Sequence, residues 1–155
     1  MTKLVIDSLT PLTNAPAKER GYPDKYLPTD KEDYMNAKQL AYFRDLLLVW
    51  RQELLEGNNE AIQGLQEHSA IEADMTDQAT IEYEQTLELR NRDRARKLIS
   101  KIDSALRRID DGEYGYCEVT GEPISLGRLE ARPIATMTVE AQERHERQEK
   151  VSRDD

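Results

Sequence analysis

The chain has 155 residues and a formal net charge of −9, which leaves room for one ordinary domain or for a small body with an extended appendage. With 34% charged residues and only 6% aromatic, there is too little apolar material for a thick core but enough for a narrow helical seam. The negative balance argues against a protein that wraps nucleic acid, so a protein partner is expected and sequence-specific nucleic-acid binding is not.

No apolar run approaches the ~20 residues needed to cross a bilayer, and the start, MTKLVIDSLTPLTNAP, lacks the apolar stretch of a secretory signal. A cytoplasmic protein without membrane contact is therefore expected. The single cysteine, Cys117, excludes an internal disulfide and agrees with a reducing compartment.

In chain order, residues 1–32 carry Pro11, Pro16, Pro23 and Pro28 and read as an irregular segment packing on the body. Thr29 followed by Glu32 reads as a capping box, with a helix starting near Asp30. From Tyr34 to about Glu67 there is no proline, and Leu40, Phe43, Leu47, Trp50 and Leu54 recur at alternating steps of three and four, a heptad seam. A second helical segment, from about Gln78 to Asp110, repeats those steps at Ala95, Ile99, Ile102, Leu106 and Ile109 until Asp111-Gly112 ends it. Paired in opposite directions, Leu40 faces Ile109, Phe43 faces Leu106, Leu47 faces Ile102, Trp50 faces Ile99 and Leu54 faces Ala95. The bend between the segments then falls between Asp74 and Met75.

The fold class is thus mainly α: a long antiparallel two-helix coiled coil over 33–110, with its tip near 74–77. Each arm would be about 50 Å long at ~1.5 Å per residue. Gly57 and Gly64 interrupt the seam toward the tip, where only Ile62 and Leu65 offer a shifted stripe. Residues 111–137 hold Gly, Pro and β-branched residues without helical periodicity and read as a compact loop-and-turn unit. A last helix over 138–155 is polar nearly all round.

Three groups of residues carry candidate chemistry. Asp74 and Asp77 lie at the bend with Glu72, Glu82 and Glu84 nearby; they either cap the second helix and form a polar turn, or present carboxylates to a partner. Arg90, Arg94, Lys97, Lys101 and Arg108 fall in a narrow arc of the second helix. That arc is either a solvated coiled-coil face or a surface for an anionic partner. Cys117-Glu118-Val119-Thr120 has the place of half a zinc ribbon, but no second CxxC follows, and His68 and His145 are badly placed to complete one. Without metal, the unit must be held by Val119, Ile124, Leu126, Leu129, Ile134, Met137 and Val139. Cys117 reads as apolar filler or as a redox thiol. No phosphate loop, nucleophile elbow or catalytic triad is present, so no enzyme is expected.

The runs YMNAKQLAYFRDLL, LELRNRDRARKLISKI and DGEYGYCEVTGEPISLGRLEARP closely resemble the DksA family, over about 33–150. The resemblance implies a zinc-finger-like globular body bearing a coiled coil, with a carboxyl-terminal helix. It further implies binding of RNA polymerase at its secondary channel, the tip directed toward the active site, and modulation of promoter complexes together with ppGpp. Asp74, Asp77 and Ala79 match functional tip positions of the family. Asn91, Arg94 and Leu98 match contacts to the channel rim, and Lys101 and Arg132 match residues that contact ppGpp. Gln142 stands where a further ppGpp-contacting lysine is usual, which implies a weaker response. The four zinc cysteines read here as Cys117, Thr120, Thr138 and Ala141, which makes this look like a zinc-independent variant; a monomer is expected. Two other readings stand beside this one: a coiled-coil adaptor or chaperone-like protein without polymerase activity, and a thiol-based redox regulator.

Overall fold

The computed structural model describes residues 15–72 and 78–154. It is mainly helical, with five helices among the described residues: α1 (Ala17–Arg20), α2 (Ala37–Glu72), α3 (Gln78–Asp111), α4 (Leu126–Ala131) and α5 (Val139–Asp154). Two compact units divide the described residues: a helical unit over 48–103, and a body unit formed by 15–47 and 104–154.

In the helical unit, the remainder of α2 pairs with most of α3. Leu48 and Ile102 are fully buried, and Trp50, Leu54, Ala95 and Ile99 are half-buried, as a two-helix seam open to water on its flanks requires. Arg51 Nε donates to Asp103 Oδ1 at 2.8 Å across the pair. In the body unit, Arg44 is close enough to Asp110 to offset part of the burial that raises that carboxyl's pKa. Partner numbers that climb along α2 and descend along α3 mark an antiparallel pair. Each of these residues lies one position past a seam residue, so long arginine side chains border the apolar stripe.

Helix α2 starts seven residues later than the Thr29–Glu32 pattern suggests. Asn36 caps it instead: its Oδ1 accepts from Gln39 N–H at 3.0 Å, while Gln39 Oε1 accepts from Met35 N–H at 2.8 Å, a reciprocal capping pair shifted downstream. Thr29 and Glu32 are drawn into tertiary bonds. The Glu32 carboxylate accepts from Tyr26 OH and from Gln39 Nε2, and Gln39 Nε2 also donates to Thr29 O. Gln39 is fully buried, and these four partners are what make that burial tolerable.

The segment before α2 is not wholly irregular, since α1 forms one helical turn that Gly21 ends at φ 86°. Beyond it, the Tyr22, Tyr26 and Tyr42 rings meet within 6.2 Å of one another. Tyr22 OH donates to the buried Asp45 carboxylate at 2.7 Å.

At the other end of the pair, α3 stops at Gly112 (φ 76°), and the N–H groups of Glu113 and Tyr114 both bond Arg108 O, which satisfies the terminal carbonyl. The rest of the body core is Phe43, Leu47, Ala105, Leu106, Tyr114, Cys117, Ile124, Leu126, Leu129, Ile134, Ala135 and Ala141. Val119 and Val139, expected inside, are 65% and 46% exposed. Both sit at the outward corner of a turn or helix start, and Tyr114 and the small residues Ala135 and Ala141 fill the interior in their place. The loop-and-turn region also contains α4, whose Ser125 cap accepts from Arg128 N–H at 3.3 Å and whose Leu126 and Leu129 point inward.

Gly57 lies inside α2, and a methyl group there would meet nothing within 4 Å. Replacing it with alanine should remove backbone entropy from the unfolded chain without a steric cost. We expect Gly57→Ala to stabilise the helical unit by about 0.5–1 kcal/mol in urea unfolding followed by fluorescence of Trp50; no change, or a loss, would show that α2 is not helical at this position.

Candidate functional site

Most residues matched to function by resemblance lie on α3 within the helical unit. Ala79 is exposed in the first turn. Asn91, Arg94 and Lys101 are exposed, whereas Leu98 is half-buried beside the seam. At ~100° per residue, Arg90, Arg94, Lys97 and Lys101 share one side of the helix, and none has a carboxylate within salt-bridge distance among the described residues. Between Arg90 and Lys101 there are six cations and one acid, Asp93, which faces Arg96 at 3.9 Å. Arg108 does not belong to this stripe. Its Nη2 donates to Tyr116 O at 2.7 Å, so it closes the body unit instead of facing a partner. The carboxylates Asp74 and Asp77 lie outside the described residues.

The other matched positions are in the body unit. Arg132 is exposed at the C-cap of α4. Gln142, half-buried on the first turn of α5, spends its amide on Glu146 at 2.9 Å. Arg128 Nε donates to Met137 O at 2.9 Å and ties α4 to the chain leading into α5.

The region of Cys117 is built as a knuckle without strands: Tyr116 and Pro123 form one isolated bridge. Gly121 N–H bonds Cys117 O at 2.8 Å, Cys117 N–H bonds Glu122 O at 2.8 Å, and Ile124 N–H bonds Gly115 O at 2.7 Å. Gly115 (φ 90°) is required here, because a Cβ would come within 3.0 Å of the Met35 side chain and Tyr34 OH. That tyrosine, which the sequence reading did not single out, donates to both Gly115 O and Ile124 O, with burial pushing its pKa up to about 12. The start of its run, YMNAKQ, shows only a polar-flanked aromatic, and nothing in local periodicity marks it as an anchor to residues some 80 to 90 positions away.

Around Cys117, two threonines use their hydroxyls locally. Thr138 Oγ1 accepts from Ala141 N–H at 3.3 Å and caps α5, and Thr120 Oγ1 accepts from Glu122 N–H at 3.3 Å. Burial alone would raise the Cys117 pKa. Hydrogen bonds from the Thr120 hydroxyl and from the N–H groups of Thr138, Thr120 and Val119 outweigh it and hold the thiol down at about 7. A shallow cavity of about 510 Å³, lined in part by Arg108, Glu113, Tyr116 and Cys117, opens beside it.

Residues 39–109 match the family model of the DnaK suppressor protein DksA N-terminal domain, and residues 112–147 match that of the prokaryotic dksA/traR C4-type zinc finger. Over 84% of this chain and 92% of the relative, the sequence is 59% identical to the RNA polymerase-binding transcription factor DksA of Caulobacter vibrioides. The chain belongs to the DksA family. The protein of the same name from Escherichia coli K12 is 42% identical over 82% of this chain and 84% of its own length. Among solved structures, the transcription factor DksA2 from Pseudomonas aeruginosa superposes with a TM-score of 0.71 at 40% identity, covering 86% of this chain and 97% of that one.

The zinc implied by the DksA finger model does not fit the residues present. The four positions matched to its cysteines by resemblance, Cys117, Thr120, Thr138 and Ala141, offer one sulfur, two hydroxyls already engaged with backbone amides, and a methyl group, and no group of three or more His, Cys, Asp or Glu side chains clusters among the described residues. The Cys117 environment gives a pH signature. Because its folded-state value lies below the ordinary 9.0, the extra stability is fully present above about pH 9 and is lost as pH falls through about 7. Thermal unfolding of the wild type should therefore gain on Cys117→Ser between pH 7 and 9, by about 1 kcal/mol per pH unit at most; parallel pH profiles would show that the thiol does not ionise in the fold.

Proposed function

We propose that the protein is a non-enzymatic, cytoplasmic regulator of transcription initiation. It binds RNA polymerase at the secondary channel as a monomer, directs the bend carrying Asp74, Asp77 and Ala79 toward the active site, and modulates promoter open complexes with ppGpp as effector. The observation that carries this reading is the 59% identity to an RNA polymerase-binding factor over nearly the whole of that relative. The unpaired cations on α3 support it, as does the absence, among the described residues, of any helix long and apolar enough to cross a membrane. In this reading Asn91, Arg94 and Leu98 touch the channel rim. Lys101 and Arg132 hold the phosphates of ppGpp, for which a guanidinium fork and an ammonium are well suited. Gln142, neutral and already bonded to Glu146, adds no charge and leaves that response weaker.

Transcription in vitro with purified polymerase from a sensitive promoter tests these roles together. Asp74→Asn with Asp77→Asn should keep polymerase binding and lose most inhibition, and Lys101→Ala with Arg132→Ala should keep basal binding and lose the enhancement by ppGpp. Wild-type inhibition by the first pair would refute the tip mechanism, and unchanged enhancement with the second would refute the ppGpp assignment.

The body, on the same reading, is zinc-independent, its knuckle closed by hydrogen bonds and apolar contacts. Purified protein should then carry well under one zinc per chain and keep its thermal midpoint in a strong chelator. Stoichiometric zinc, or a midpoint that drops with chelation, would reverse this assignment.

A further inference from the structure

Three large apolar side chains on α3 are exposed, Tyr83, Leu87 and Leu89, and of these Leu89 lies about 120° from Tyr83 around the helix, away from the cationic stripe. Tyr83 is 65% and Leu87 40% exposed, one helical turn apart. A single exposed apolar residue needs no explanation, but these two extend the cationic stripe. Taking Tyr83 as the centre and ~100° per residue, Leu87, Arg90, Arg94, Lys97 and Lys101 all lie within an arc of about 80°. No carboxylate of α3 falls inside it: Glu82 and Glu84 lie about 100° to either side, and Asp93 about 80° away. The face therefore runs from an aromatic and aliphatic end into four cations with no carboxylate within salt-bridge distance among the described residues, in a chain whose overall charge is −9. It also borders Asn91 and Leu98, so it is continuous with the proposed rim contact.

We infer that Tyr83 and Leu87 form an apolar anchor that extends the polymerase-binding surface along α3, seating against an acidic segment of RNA polymerase that carries an apolar side chain. The inference rests on the polymerase reading and adds a second, tip-ward part to it. From Tyr83 to Leu98 the face is about 22 Å long at ~1.5 Å per residue, enough for three to four turns of a partner helix. Its composition separates the two classes of partner a cationic stripe can serve. Nucleic acid would be met by cations spread along the helix, whereas the Tyr-Leu pair, set at one end and followed by four consecutive cationic positions, has the make-up of a protein interface core with a charged rim. The cations steer and orient the encounter while the anchor lengthens the residence time.

The experiment uses the full chain and RNA polymerase holoenzyme. Wild type and Arg94→Ala are measured first; if the wild type does not bind, the polymerase reading itself falls. Given binding, Tyr83→Ser with Leu87→Ser should weaken it about tenfold or more, with unchanged helicity, and Tyr83→Phe with Leu87→Met should bind within about twofold of wild type. A photoreactive amino acid in place of Tyr83 should cross-link to a polymerase subunit, and one in place of Gln85, exposed about 160° around the helix, should not. Binding by the serine pair within about twofold of wild type, equal cross-linking from both positions, or cross-linking from position 83 to nucleic acid in a transcription complex would each overturn the inference and leave the Asn91, Arg94 and Leu98 assignment standing.

Discussion

The hydroxyl of Tyr34 is the tie on which the body unit depends. It stands just ahead of α2, yet it donates to two carbonyls, Gly115 O and Ile124 O, on opposite sides of the knuckle that holds Cys117. The knuckle has one isolated bridge and a handful of backbone bonds, so its geometry is maintained by a side chain from a distant segment. Gly115 makes room for this approach, and the Tyr34 ring stacks edge-on to Tyr116 at 5.6 Å, which fixes the direction from which the hydroxyl arrives. With that contact in place, the end of α3, the short α4 and the start of α5 pack on a common core.

On the proposed zinc-independent reading, the task given to four thiolates in the C4-type finger model is divided in this chain. One thiol is kept and surrounded by donors, one hydroxyl turns inward to it, the other caps α5, and a methyl group is buried. A metal ion concentrates its stabilisation in four strong bonds formed at once, and a set of weak bonds distributes it. The second arrangement needs better apolar closure, and the burial of Tyr114, with its hydroxyl satisfied by Pro133 O at 2.8 Å, supplies part of it.

Much of the helical pair was legible in the sequence because its determinants are periodic. Phe43, Leu47, Ile102 and Leu106 are buried as the heptad steps require, and α3 ends at the Asp111-Gly112 signal. What escaped was set by contacts between distant segments. Thr29 and Glu32 have the spacing of a capping box, but Tyr26 and Gln39 take the Glu32 carboxylate, and Gln39 also donates to the Thr29 backbone carbonyl. Arg108 has the phase of the cationic stripe, but the carbonyl of Tyr116 lies within reach. Val119 and Val139 have core composition but corner positions, a matter of backbone direction that no count of apolar residues reports. The functional residues on α3 were legible by resemblance; the Tyr83–Leu87 pair became visible only through its exposure.

The aromatic residues are distributed unevenly, and this makes the two units separately observable. The one tryptophan, Trp50, belongs to the helical unit, whereas six of the seven tyrosines (22, 26, 34, 42, 114 and 116) belong to the body unit. Red-edge excitation, which selects indole, thus listens to the paired helices alone, and the phenol bands of the near-ultraviolet dichroism, once the indole contribution is subtracted, report mainly on the body. The molecule carries its own pair of optical reporters, and whether its two parts melt together or apart can be read without attaching a label.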